Sequence, residues 1–463
     1  MPSLAQCAAR CSGAPGCACF DYQLSSGGCR GVSGTVDLKS SSHGVNAYTK
    51  GKGPVPLKLD EAATPNVEWS GSPVPLAGVR TARVFTGSKD EGYADGAVVI
   101  WFHGRYYVAW SGYKGVGQSD YDEIVYQSSA SSTAWSDGTP ARQLFPPAEG
   151  NFSRAGFGNL PYAVVRDRLY AVAQLPIQLQ ENATGQSLYG PWVRAMRQVL
   201  SPDKLGPVFW LCAKIPAGFA TPASGGLPTY QQMDAQTRGD AQLYLGGLVN
   251  TMVPSLAASQ PLTQPTGEHS LYRVPGTSEL VLLIRGGKHG LPPGNGRVFA
   301  SSCELPSSGH EHHQKEDMGV CMFGCCSQTV QLESVFAEQQ PPAHPDARHC
   351  NWSSPVKTGI LDATSRTCAG PMPRGQGVWM LGNANDRNHL VLSVAPDGRN
   401  FSRHWIVRSG TPSPIAFPDP HKIPGVAQYP SGMWRGDEMV AVYSEGKENI
   451  SISSFRMPSL HGQ

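Results

Sequence analysis

The side chains best suited to chemistry on inspection are thiols and imidazoles. His310-Glu311-His312-His313 is followed by Cys321, Cys325 and Cys326, a run that could ligate zinc or copper. The stretch around it is polar, Pro-rich and without strand alternation, so it reads as an insertion near 303–350. In a secreted protein its thiols are expected to bond to one another or to Cys303, Cys350 and Cys368, leaving the insertion metal-free. A second thiol cluster, Cys7, Cys11, Cys17, Cys19 and Cys29, fills the first thirty residues. The spacing of Cys7 and Cys11 puts two thiols one helical turn apart. Disulfides to the strand carrying Cys17, Cys19 and Phe20 would staple a module too small for its own core. Zinc is the rival reading, but the spacings are not paired Cys-x-x-Cys and no His lies between them. Five is odd, so one of these thiols is left over.

The whole chain frames these clusters. It has 463 residues, 16% charged and 40% hydrophobic, with a net charge of +2. Near-neutral charge excludes the electrostatic footprint of a nucleic-acid binder. No apolar run approaches the roughly 18 residues that a membrane span needs. With 12 cysteines and sequons at Asn151, Asn182, Asn351, Asn400 and Asn449, the expectation is a eukaryotic secreted or cell-surface protein whose leader is not part of this chain. Abundant Gly and Pro with few charges predict many short strands rather than long helices.

One pattern recurs after Arg80: an apolar strand, a short Gly- or Asp-containing turn, and a second strand. It runs through Ala97–Ser111, Tyr162–Ala173, Leu271–Arg285 and Gly432–Ser444. Each predicts a β-hairpin, and hairpins repeated at intervals of tens of residues predict a propeller in preference to a sandwich. The expected class is all-β: a small disulfide-rich α+β module at 1–50, a Pro/Gly linker at 51–79, and a six-bladed propeller at 80–457.

Two resemblances sharpen this. The start, from Ser3-Leu4-Ala5-Gln6-Cys7 through Cys17-Ala18-Cys19-Phe20-Asp21-Tyr22 and Cys29 to Ala47-Tyr48-Thr49-Lys50, resembles a PAN/Apple domain. That implies an adhesion module for a protein or carbohydrate ligand. Ser393-Val394-Ala395-Pro396-Asp397-Gly398-Arg399-Asn400-Phe401 resembles the Asp-box hairpin turn of sialidases, with a more degenerate copy at Ser128–Trp135. The Asp-box is a structural device and implies the sialidase propeller without assigning a catalytic residue.

The sialidase resemblance implies a site at the propeller axis: arginines clamping a substrate carboxylate, a Tyr nucleophile, a Glu taking the Tyr proton, and an Asp general acid. Carried onto this sequence, Tyr429 matches the nucleophile, Glu268 its partner, Arg285 and Arg387 clamp arginines, and Asp120 or Asp122 the general acid. Read from the residues alone, Tyr429 is an aromatic preceding a strand, Glu268 and Arg285 could form an ion pair across one hairpin, and the two Asp residues could be turn formers. One slot departs from the family. Where sialidases carry Arg-Ile-Pro, this chain reads Tyr93-Ala94-Asp95-Gly96, so Asp95 borders the substrate-binding clamp and opposes a carboxylate. Arg80 or Arg83 could substitute from upstream. The Asn-rich Gly382–Asp386 is expected to form a polar pocket lip.

The implied function is an extracellular exo-glycoside hydrolase of sialidase type, acting on a terminal acidic sugar of a glycan without a cofactor. Two alternatives stay open. One is a uronic-acid polysaccharide lyase, drawing on His269 or His389 with Tyr429 as acid. The other is a non-catalytic glycan-binding or adhesion protein.

Overall fold

A computed structural model describes residues 19–23, 28–32, 45–49, 65–67, 73–113, 122–135, 141–145, 162–181, 187–211, 227–246, 269–285, 296–304, 352–353, 355–362, 365–383, 387–418 and 422–457. Near the start, β1 (Cys19–Gln23) is the middle strand between β2 (Gly28–Val32) and β3 (Val45–Thr49), antiparallel to both. Cys7, Cys11 and Cys17 lie outside the described residues, as do the side chains of Cys19 and Cys29. Within the stretch expected to be a linker, β4 (Asn66–Val67) and β5 (Val74–Pro75) precede β6 (Arg80–Phe85).

Five antiparallel sheets follow. The first contains β7 (Tyr93–Phe102), β8 (Arg105–Tyr113), β9 (Asp122–Ser129) and β10 (Arg142–Phe145), side by side in chain order. The second contains β11 (Tyr162–Val165), β12 (Arg168–Glu181), β13 (Ser187–Ser201), β14 (Lys204–Leu205) and β15 (Phe209–Trp210). Helix α1 (Ala235–Gly246) packs on it through Ala241 and Tyr244. Then come β16 (His269–Arg273), β17 (Glu279–Arg285), β18 (Gly296–Glu304) and β19 (Val356–Asp362). The fourth sheet has β20 (Cys368–Pro371), β21 (Val378–Gly382), β22 (His389–Ala395) and β24 (Arg403–Ser409), with β5 added parallel to β24. Between β22 and β24, the two-residue β23 (Asn400–Phe401) pairs with β4. In the fifth sheet, β25 (Gln428–Arg435), β26 (Glu438–Glu445) and β27 (Asn449–Arg456) are joined by β6 from the other end of the architecture.

All four recurring sequence units are antiparallel hairpins. Their turns explain them. His103-Gly104 and Arg166-Asp167 both take positive φ at two successive residues, the twist that a two-residue hairpin needs. The Asp-box turn has the same local logic. The Asp397 carboxylate accepts the N–H groups of Arg399 and Asn400 at 2.8 and 2.7 Å, Gly398 takes φ 76°, and Phe401 is fully buried beneath.

The sheets are radial. The first strand of each faces its neighbours' first strands: β7 with β11 and β25, β25 with β20, β20 with β16. Apolar side chains fill the wedges, Trp110 and Val108 against Val442 and Ile452 between the first and fifth sheets, and Leu392 and Trp405 against Ala441 and Phe455 between the fourth and fifth. The β6–β27 ladder completes the last sheet with a strand from upstream of the first, tying the two ends of the architecture together. Five such sheets are formed by the described residues; a sixth has no counterpart among them. Cys303 and Cys368 are buried and disulfide-bonded. Residues 305–351, which hold the His/Cys run, lie outside the described residues, and among the described ones no group of three His, Cys, Asp or Glu is placed to hold a metal. No helix among the described residues is long and apolar enough to cross a membrane.

Candidate functional site

Where β7 and β25 meet, both ladders slip. Pairing of β7 with β8 shifts between Asp95 and Val98, and pairing of β25 with β26 shifts between Gln428 and Ser431. A bulge of this kind bends a strand and re-aims its side chains, which is why bulges gather at functional sites. Within the second one, Tyr429 takes φ 51°, a left-handed conformation that costs a bulky L-residue roughly 1–3 kcal/mol and persists only where the surroundings enforce it.

Two cations flank the Tyr429 ring. The Arg387 guanidinium carbon lies 5.6 Å from its centroid and the Lys447 ammonium 5.1 Å. Arg387 is 5% exposed, sits just ahead of β22 and donates to Gln428 Oε1 at 2.8 Å. Its carbonyl in turn accepts the N–H groups of Val426 and Ala427, so guanidinium and Tyr429 segment are braced together. Lys447 lies in the turn between β26 and β27, at φ 58°. The turn is pinned to β7 by the Ala94 N–H donating to the Lys447 carbonyl at 2.9 Å. Behind it, Glu448 accepts the N–H groups of Ala416 and Phe417 and pairs with the fully buried ammonium of Lys422 at 2.9 Å.

Asp95 completes the cluster. Its carboxylate pairs with Lys447 at 3.3 Å and accepts the Gly96 N–H at 2.8 Å and the Ser444 hydroxyl at 3.0 Å. Lys447 also donates to the Tyr93 hydroxyl at 2.9 Å. Burial by itself would lower the Lys447 pKa, but Asp95, followed by Tyr429 and Tyr93, outweighs it and holds the ammonium above its ordinary value. Lys447 is therefore a standing cation at neutral pH, suited to stabilising negative charge and unsuited to abstracting protons.

This corrects two expectations about the clamp. Asp95 does not stand as a bare repulsive charge, because Lys447 neutralises it. Arg80 and Arg83 do not replace the absent arginine: both are on β6, the far strand of the fifth sheet from β25, paired with Glu438 and Glu445. Asn383 is not a pocket lip either. It is 2% exposed and donates to the carbonyls of His389 and Ala427 at 2.8 Å each, tying the fourth sheet to the fifth. His389 is exposed at the start of β22.

Of the residues singled out by sequence, Tyr429, Arg387 and Asp95 come together. Glu268 and Asp120 lie outside the described residues, as do the side chains of Asp122, Arg285 and His269. Sequence reasoning missed Lys447, Tyr93, Gln428 and Arg366. Lys447 had a faint signal, a long side chain in the tight Glu445-Gly446-Lys447-Glu448 turn where Asn or Gly is usual. Arg366, in a polar segment between strands, had none.

No family model matches the chain, and no curated protein matches it. Solved structures do. A sialidase superposes with a TM-score of 0.55 at 14% identity, over 86% of this chain and 35% of that one. The Trypanosoma rangeli sialidase in complex with sialic acid gives 0.40 at 10% identity, over 84% of this chain and 60% of that one. The NanB sialidase from Streptococcus pneumoniae gives 0.43 at 9%, covering 83% and 71%. This chain thus spans about a third of the first structure's length and three fifths of the second's. The fold shared with the first is a sialidase-like β-propeller.

Proposed function

We propose that this sialidase-like propeller is an extracellular glycoside hydrolase that removes a terminal acidic sugar from a glycan. The observation that carries the reading is Tyr429, held in a left-handed bulge beside the axis with a guanidinium and a standing ammonium on its ring. An unperturbed phenol is a poor nucleophile near neutral pH, since its pKa is about 10. The two cations beside its ring are placed to stabilise negative charge that develops in the transition state. In the proposed reaction the Tyr429 oxygen attacks the anomeric carbon as its proton passes to Glu268. The leaving alcohol takes a proton from Asp120 or Asp122, and water then hydrolyses the aryl glycoside with Tyr429 leaving.

Arg387 and Arg285 would clamp the sugar carboxylate, with Lys447 cancelling the repulsion that Asp95 would otherwise set against it. A PAN/Apple-type module at 1–50 and a sixth blade complete the proposed architecture, with secretion as its setting. The standing charge on Lys447 makes it unsuited to be the neutral base that the lyase reading needs near Tyr429.

The test is fluorogenic hydrolysis with 4-methylumbelliferyl α-N-acetylneuraminide and β-glucuronide, using wild type and Tyr429→Phe. Wild type should release 4-methylumbelliferone from one of them, and Tyr429→Phe should lose turnover by at least about 10³-fold while still binding the sugar acid. Binding without turnover in wild type would make this a glycan-binding protein. An unsaturated uronate released from a polyuronide would make it a lyase.

A further inference from the structure

Arg366 is 1% exposed and lies between β19 and β20, and its guanidinium reaches carbonyls of the first and fifth sheets. Its Nη2 donates to the Ala97 carbonyl at 3.0 Å and the Tyr429 carbonyl at 3.2 Å. Nη2 and Nε both reach the Pro430 carbonyl at 3.3 Å. These acceptors belong to the two register slips, Ala97 in the β7 bulge and Tyr429 and Pro430 in the β25 bulge. A bulge takes carbonyls out of the ladder, and buried carbonyls without a donor are costly. One guanidinium, with five donors in a planar fork, serves both. The residue before it completes the arrangement, because Ser365 Oγ accepts the Tyr429 N–H at 2.8 Å. Both backbone polar groups of Tyr429 are therefore held by consecutive residues of the connection between the third and fourth sheets.

We propose that Ser365 and Arg366 are positioning residues: together they hold Tyr429 in its left-handed conformation and aim its ring between Arg387 and Lys447. A satisfied core arginine would need only to fill its donors. This one bridges the bulge that presents Tyr429 and the bulge that presents Asp95, the partner of Lys447, so moving it moves the nucleophile and its cation together. The proposal rests on the hydrolase reading for its catalytic consequence, but not for its geometric one.

The experiment separates the two. The full chain is labelled with 3-fluorotyrosine, the Tyr429 fluorine resonance is assigned by its loss in Tyr429→Phe, and Ser365→Ala and Arg366→Lys are compared with wild type. In both variants the Tyr429 resonance should shift or broaden while those of Tyr162 and Tyr272, buried in two other apolar cores, stay in place. On whichever fluorogenic glycoside wild type hydrolyses, kcat should fall about a hundredfold. KM should change by no more than about threefold. Ser365→Ala removes a single acceptor and keeps the test open if Arg366→Lys folds poorly. An unmoved Tyr429 resonance in Ser365→Ala overturns the proposal, as do equal shifts at Tyr162 and Tyr272, which would mark a general loosening. A shifted resonance in a protein that hydrolyses neither glycoside upholds the clamp and rejects the hydrolase.

Discussion

Replacing Lys447 by Met removes the ammonium from between Asp95 and Tyr93 while keeping a side chain of similar length. At the observed 3.3 Å separation from Asp95, Coulomb's law with an effective dielectric constant near 20 gives a gross attraction of about 5 kcal/mol. Desolvating both ions takes back much of this, and the side chains keep 11% and 14% of their exposure. Asp95 also retains the Gly96 N–H and the Ser444 hydroxyl when Lys447 is lost. The net coupling should therefore be about 1.5–3 kcal/mol, below the roughly 3–5 kcal/mol seen when a fully buried pair is broken. A double-mutant cycle of Lys447→Met, Asp95→Asn and both together, each unfolded in urea at pH 7, measures it directly. The sign with pH follows from the raised Lys447 value. The stabilisation is complete below the ordinary lysine pKa of 10.5 and is lost as pH climbs through the folded-state value. Wild type should then lose more stability than Lys447→Met on going from neutral pH to above 10.5. A coupling below about 0.5 kcal/mol, within the scatter of independent sites, or parallel pH curves for the two proteins, would refute the ion-pair reading of Asp95.

Trp110 is fully buried in the wedge between the first and fifth sheets. Trp110→Ala should cost about 3–5 kcal/mol in urea unfolding, and a cost under 1 kcal/mol would show that this wedge does not hold the closure. A Cβ on Gly425 would stand 2.4 Å from Gln428 Nε2 and 2.7 Å from Arg387 Cβ. Gly425→Ala should therefore destabilise by about 1–3 kcal/mol and weaken binding of the sugar acid in calorimetry, since it displaces the guanidinium; unchanged affinity would remove Arg387 from the clamp.

Much of the local structure was legible because its causes are local. Alternation and turn chemistry predict the hairpins of Ala97–Ser111 and Gly432–Ser444 with no knowledge of their neighbours, and Asp397, Gly398 and Phe401 encode their turn within five residues. The sialidase resemblance picks out Arg387 and Tyr429, which the fold brings side by side, but it gives no sign of the bulge in which Tyr429 sits. What stayed hidden depends on partners far apart in the chain. Asp95 in isolation predicts repulsion of a carboxylate, and only the closure of β6 on β27, with the fifth sheet against the first, brings Lys447 to neutralise it. Arg366 looks like any arginine in a polar loop. Its role exists because Ala97, 269 residues earlier, and Tyr429, 63 residues later, present carbonyls freed by register slips. A slip is decided by how two strands twist and pack against the next sheet, so no spacing in one strand announces it. Sequence alone determined the strands, the turns and the residue types available for chemistry. The tertiary structure decided which charges neutralise each other and which backbone is held strained, because both are settled by long-range closure of sheets around one axis.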